Sequence, residues 1–154
     1  VIALLRESGF ESMESSDIEN DTMVAELDGK VVGCFWCLIG KSTMAYMGYF
    51  AVRKDMEVQR AHVASMLMFE TLKYLRRNGI KKVLGILMGN EEHRMASAYV
   101  KVGKTKFCGR YTVVYNNDLD FAIKNMTRYF HYLDTQRVIK LEDIQLEPIK
   151  KRYA

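Results

Sequence analysis

The spacing of apolar residues changes period several times along this chain. Residues 1–8 place Val1, Leu4 and Leu5 on one side, with Phe10 just beyond Gly9, and predict a short helix that Gly9 closes. Residues 11–21 are polar and acidic (Glu11, Glu14, Asp17, Glu19, Asp21), with Met13 and Ile18 the apolar exceptions. They predict a loop or a short, loosely held helix. Residues 22–27 and 31–39 read as strands joined by Asp28-Gly29, a dipeptide suited to a two-residue hairpin. Residues 40–42 then turn into a third strand, 44–52.

From about Ala61 the period lengthens. Ala64, Met68, Leu72 and Leu75 share one helical face with Leu67 alongside. Lys73, Arg76 and Arg77 bring cations to the last turn, and Asn78-Gly79 is a stop signal. Residues 81–88 form a continuous apolar run, as strands buried on both faces do. Residues 91–102 are helical in pattern and end at Gly103, and residues 106–115 make a final strand or strand pair. Asp118 then caps an amphipathic helix over 118–137, with Leu119, Ile123, Met126, Phe130 and Leu133 in one stripe.

The order β-β-β-α-β-α-β predicts an α/β (α+β) fold, a mixed and mostly antiparallel sheet with flanking helices. Residues 1–116 are expected to form that domain, and residues 117–154 a C-terminal helical extension with a basic tail. The apolar stripe of the extension should dock on the parent domain or on a second copy, the latter giving a homodimer.

Composition narrows the class. The chain has 154 residues, 49% of them hydrophobic, enough for one domain with a substantial core. No apolar run approaches the ~20 residues that span a bilayer, and the apolar start is cut short by Arg6 and Glu7, so neither a membrane segment nor a signal peptide is expected. The net charge of +4 owes much to Lys150-Lys151-Arg152 and gives poor support for nucleic-acid binding. Three cysteines make no disulfide framework and favour a reducing, cytoplasmic setting. Cys34 and Cys37 lie three apart on a strand, so their thiols diverge, and with no second pair or His cluster no metal site is expected.

Between Tyr46 and Tyr99 the pattern is strand, charged turn, helix, strand, helix. A strand running into the N-terminus of a helix presents backbone amides that suit an anionic group. A Tyr-bearing helix after the next strand can set a proton donor beside it. That layout points to group transfer from a phosphate-bearing carrier.

These residues resemble the GCN5-related N-acetyltransferase (GNAT) family. Gln59-Arg60-Ala61-His62-Val63-Ala64 is similar to its cofactor segment, Arg/Gln-x-x-Gly-x-Gly/Ala, with His62 in place of the middle Gly. The helix behind that segment typically runs about fifteen residues to a Gly, the separation of Ala64 from Gly79. Tyr99-Val100-Lys101-Val102-Gly103 resembles the family's Tyr-x-x-x-Gly-Phe, with Lys104 where Phe is usual. Asn90-Glu91-Glu92-His93 is similar to the Asn-x-x-His opening in phage-encoded members, and suggests a phage or mobile-element origin, with virion association in that case. The resemblance covers roughly residues 1–115.

It implies a GNAT-like acyl-CoA N-acyltransferase fold and transfer of an acetyl group from acetyl-CoA, as co-substrate, to an amine on a small molecule or protein. By the same resemblance, Gln59, Arg60, Ala61, His62, Val63 and Ala64 hold the pyrophosphate. The backbone of Phe50, Ala51 and Val52 pairs with the pantetheine arm, Asn90 adds a cofactor contact, and Tyr99 protonates the leaving thiolate. The cofactor is expected between the strand 44–52 and the strand 81–88. Two departures support a second reading, a protein that keeps the fold for binding or structure. His62 crowds a path that Gly leaves open. The strand offers Tyr46, Gly48 and Tyr49 where many relatives carry a Glu as general base, which leaves Glu57 in the loop beyond, a water relay, or an amine that arrives already neutral and needs no base before attack. The acidic residues 11–21 would favour a cationic acceptor.

Overall fold

The computed structural model describes residues 1–18, 21–40, 43–87, 112–116, 118–134 and 144–148. Helix α1 (Ile2–Glu7) ends as its residues dictate. Gly9 takes φ +99°, Gly9 N–H bonds to Arg6 O and Phe10 N–H to Leu5 O, closing a Schellman motif. The acidic stretch holds a 3-10 turn, Ser15–Asp17, with the Glu14 N–H donating to Asp17 Oδ2 at 2.8 Å. Glu19 and Asn20 lie outside the described residues.

Strands β1 (Met23–Leu27) and β2 (Lys30–Ile39) pair antiparallel about Asp28-Gly29, whose φ angles of 51° and 72° are those of the primed hairpin turn. Ala25 faces Gly33 whereas Glu26 faces Val31, so Val32 is the extra residue of a bulge. Strand β3 (Met44–Val52) pairs parallel with β4 (Lys82–Leu87), over Met44–Met47 against Lys82–Gly85, and β3 runs on from Gly48 to Val52. Strand β5 (Thr112–Asn116) pairs antiparallel with β4. Strand β6 (Gln145–Pro148) pairs antiparallel with β1, inside the stretch expected as a helical extension with a basic tail. The six strands lie in the order β5-β4-β3-β2-β1-β6, a mixed and mostly antiparallel sheet as expected.

Helix α2 (Glu57–Arg77) begins four residues ahead of where the periodicity placed it. Its buried face is also rotated. Val63, Met66, Leu67, Thr71, Leu72 and Leu75 are buried, while Ala64 and Met68 are only half-buried. The reason is Thr71, polar by type but wholly buried, its hydroxyl meeting no hydrogen-bond partner among the described residues. A face centred on Leu67, Thr71 and Leu75 is thereby disguised in the sequence.

Helix α3 (Leu119–Asp134) is capped as expected, Phe121 N–H donating to Asp118 Oδ1 at 2.9 Å. Leu119, Ala122 and Met126 are buried within a single copy of the chain, so this part of the stripe docks at home. The side chains of Phe130 and Leu133 lie outside the described set.

Two compact units arise. One comprises Val1–Leu38, Tyr49–Thr71 and Gln136–Ala154. In it Leu4, Leu5, Met13, Cys34 and Ala51 form a core that Phe10 and Tyr49 flank. Arg6 ties α1 to the acidic stretch through two bonds to Met13 O, at 3.0 and 2.8 Å. The other unit is Ile39–Gly48 with Leu72–Thr135, where Arg76 on α2 holds Asp120 on α3 through Nε at 2.8 Å.

Candidate active site

The candidate site is the end of β3, the turn after it and the first turns of α2, all within the first unit. Phe50 packs its ring against Phe35 at 4.9 Å between centroids, and Ala51 and Val52 are buried. One residue earlier, Tyr49 packs edge-on against Phe10 at 4.8 Å and against Trp36 at 5.5 Å. Neighbouring residues of β3 thus serve opposite faces of the sheet, as the pleat requires.

Gly33 on β2 sets how close α2 can come. A Cβ there would stand 2.6 Å from Leu67 Cδ1 and 3.3 Å from Ala51 O, so any side chain would push against the helix and the β3 backbone together. The body of α2 is therefore seated against the sheet from Val63 and Leu67, both fully buried.

After Val52, Arg53 donates its N–H to Val32 O, the bulge residue, at 2.9 Å. A 3-10 turn, Lys54–Met56, leads directly into α2 at Glu57. Within this turn the Arg53 guanidinium grips Asp55 at two points, Nε to Oδ1 at 3.0 Å and Nη2 to Oδ2. The ion pair holds the Asp55 carboxyl below its usual range, through the hydrogen bond first.

A helix leaves its first four N–H groups without intrahelical acceptors. With the start at Glu57 the Arg60 N–H already returns to Met56 O, and the 3-10 turn Lys54–Met56 takes up the amides of Met56 and Glu57. Val58 and Gln59 therefore keep amides without an α-helical acceptor, and the amides of Ala61 to Ala64 fall in the second turn, bonded back along the helix. The expected cofactor segment therefore divides. Arg60 and Ala61 are exposed, and Gln59 is half-buried beside them. Val63 is a core residue, Ala64 is half-buried, and the His62 ring turns Nε2 into the protein, out of contact with solvent. Asn90 and Tyr99 lie outside the described residues, as does the side chain of Glu57.

Burial pushes the Cys34 thiol up to about 11 and the Cys37 thiol up to about 12, the latter donating to Asp21 O at 3.0 Å. Neither is a thiolate near neutrality, so neither can act as a nucleophile there. Glu11, Glu14 and Asp17 are exposed and Asp21 half-buried, with Asp17 spending one oxygen on its own turn. Among the described residues no cluster of His, Cys, Asp and Glu could hold a metal, and no helix is long and apolar enough to cross a membrane. Sequence reasoning missed Gly33 and the Arg53–Asp55 pair. Gly33 lies inside an apolar strand, where a lone Gly signals close backbone approach. An Arg two residues ahead of an Asp carries no such signal.

Comparison with known proteins bears on this arrangement. The model of the acetyltransferase (GNAT) family matches residues 4–103. Among solved structures, a Klebsiella pneumoniae protein provisionally assigned as an acyl-CoA N-acyltransferase aligns with a TM-score of 0.58 at 16% identity, over 75% of this chain and 87% of its own. GCN5 from Tetrahymena aligns at 0.54 and 13% identity, over 73% and 82%. The PaiA N-acetyltransferase of Thermoplasma acidophilum, solved with coenzyme A, aligns at 0.52 and 15% identity, over 63% and 61%. At these identities the likeness is one of fold. No curated protein sequence matches the chain significantly.

Proposed function

The chain belongs to the acetyltransferase (GNAT) family, and from that premise we propose that it transfers an acetyl group from acetyl-CoA to an amine acceptor. The observation that carries the reading is a strand end that leads through one 3-10 turn into a helix start where the Val58 and Gln59 amides have no α-helical acceptor, with Arg60 exposed beside them. Such amides and the positive end of the helix dipole suit a pyrophosphate. In this reading the amides of Val58 and Gln59 and the Arg60 side chain take the phosphates, with Ala61 bordering them. Phe50, Ala51 and Val52 offer their backbone to the pantetheine arm. Val63 and Ala64 act through the helix they build, and Asn90 adds a contact from the following segment.

The reaction forms a C–N bond and breaks a C–S bond. A neutral amine attacks the thioester carbonyl, the amine nitrogen gives up a proton, and the departing thiolate takes one. Tyr99 is the proposed donor of that last proton. A water relay takes the proton that the amine nitrogen gives up, and solvent restores the Tyr99 proton, since β3 provides tyrosines and a glycine where a general base would stand. One observation favours a second reading, a fold kept for binding or structure. His62 stands where the family pattern has Gly, and its ring is packed inward from the second turn of α2, a side chain where the pattern leaves space.

Binding and turnover tell the two apart. Acetyl-CoA at a hundredfold excess over its Kd should stabilise the fold by about 2.7 kcal/mol, read as a thermal shift. Release of free CoA thiol in the presence of amines should follow, and Tyr99→Phe should lower kcat by on the order of 10²-fold with little change in affinity. Absence of both shift and calorimetric heat at millimolar CoA refutes the acetyltransferase reading. Binding without turnover over a broad amine panel selects the second.

A further inference from the structure

Resting on that reading of the site, we propose that Arg53 and Asp55 are positioning residues, a clasp that orients the first turn of α2 relative to the strand before it. Residue 53 is anchored to the sheet by its own backbone, through the 2.9 Å bond to Val32 O. Its side chain then reaches forward two residues and fixes Asp55 at two points, inside the only residues that separate β3 from α2. Two parallel N–H···O bonds define an orientation, which a single point charge does not. The turn's angle to the sheet is thereby set, and the helix begins two residues later.

Little else among the described side chains does this work. Among the described side chains of α2 the first that is wholly buried is Val63, beyond the first turn, whereas Arg60 and Ala61 face solvent. The α1 side of the turn is hollow, a cavity of about 210 Å³ lined by Leu4, Glu7, Ser8, Arg53, Lys54 and Asp55. Packing holds the helix body, and the clasp holds its open end. The clasp also matters by charge. An unpaired Asp55 carboxylate ahead of the helix would repel an incoming phosphate, and the guanidinium cancels it. Glu7 adds a carboxylate facing Arg53, and Lys30 a cation facing Asp55.

The test compares the full chain with Arg53→Ala, Asp55→Ala, the double variant and Arg53→Lys. Without any ligand, amide exchange at Ala61 to Ala64 should quicken about fivefold in each Ala variant, the upper end for an exposed pair with two-point geometry. Exchange beyond Leu67 should stay as in the wild type, and the double variant should be no faster than either single one. With acetyl-CoA, KM should rise about fivefold while kcat stays within about twofold, and Arg53→Lys, which keeps charge but lacks the fork, should recover only part of the loss. Unchanged exchange, additive effects in the double variant, or a fall in kcat at constant KM would overturn the clasp. A wild type that binds no acetyl-CoA would sink the acetyltransferase reading instead, and the exchange arm would still decide the clasp.

Discussion

Helix α2 finishes in a closed motif and starts at an open one. At its end Gly79 takes φ +78°, Gly79 N–H bonds to Arg76 O at 3.1 Å and Ile80 N–H to Leu75 O at 3.0 Å. Ile80 and Leu75, the two residues that meet across such a motif, are both buried, and Asn78 Nδ2 covers Tyr74 O at 2.8 Å. At its start the chain leaves β3 through a 3-10 turn, and the amides of Val58 and Gln59 are left without an α-helical acceptor. Each end carries an arginine gripping an aspartate by two bonds, Arg53 on Asp55 and Arg76 on Asp120. One pair is local and orients backbone, and the other joins residues 44 apart and ties two helices. A closed end is finished structure, whereas an open end held in place is a resource for an anion.

Breaking the open end should have the largest effect. Ala61→Pro removes an amide that a helix starting at Glu57 uses, and should cost about 3 kcal/mol in denaturant unfolding. Were the helix to start near Ala61, as the periodicity suggested, proline would sit at its first position and cost little. At the closed end, Gly79→Ala should cost about 1 kcal/mol, because φ +78° strains any residue with a β-carbon although space for the methyl is free. A neutral outcome would mean that the motif opens without penalty.

The smallest change belongs to the long-range pair. Asp120→Ala should shift Tm by no more than about 2 °C, since both partners are exposed. That shift should vanish in about 1 M salt. The Arg76 guanidinium holds the Asp120 carboxyl below its ordinary value of 3.8, so the pair's contribution is complete above that pH and fades as the pH falls through the lowered value. Melts that still separate the variant from the wild type in high salt would show that Asp120 does more than pair.

The parts of this molecule legible in its residues are those decided by a few neighbouring positions. Asp28-Gly29, Gly9 and Gly79 were readable because each takes a positive φ that few residue types tolerate. Asp118 was readable because a carboxylate at a helix start has amides to accept. The run of strand β3 into helix α2 was legible as a layout, although the helix begins ahead of the Gln59 to Ala64 segment that the family resemblance singled out.

Other features waited for the fold. The start of α2 depends on how Arg53 is pinned to Val32 across the sheet, and the sequence shows a charged run from Arg53 to Glu57 and nothing of the pin. The buried face of α2 turns on Thr71, whose type suggests solvent and whose position denies it. Strand β6 finds its place only beside β1, and Arg76 finds Asp120 only when α3 has folded back. Local geometry follows from local residues because the backbone has few allowed conformations and a glycine or a cap selects among them. Pairings across long loops follow from which surfaces remain to be covered once the local elements exist, and that is a property of the packed molecule.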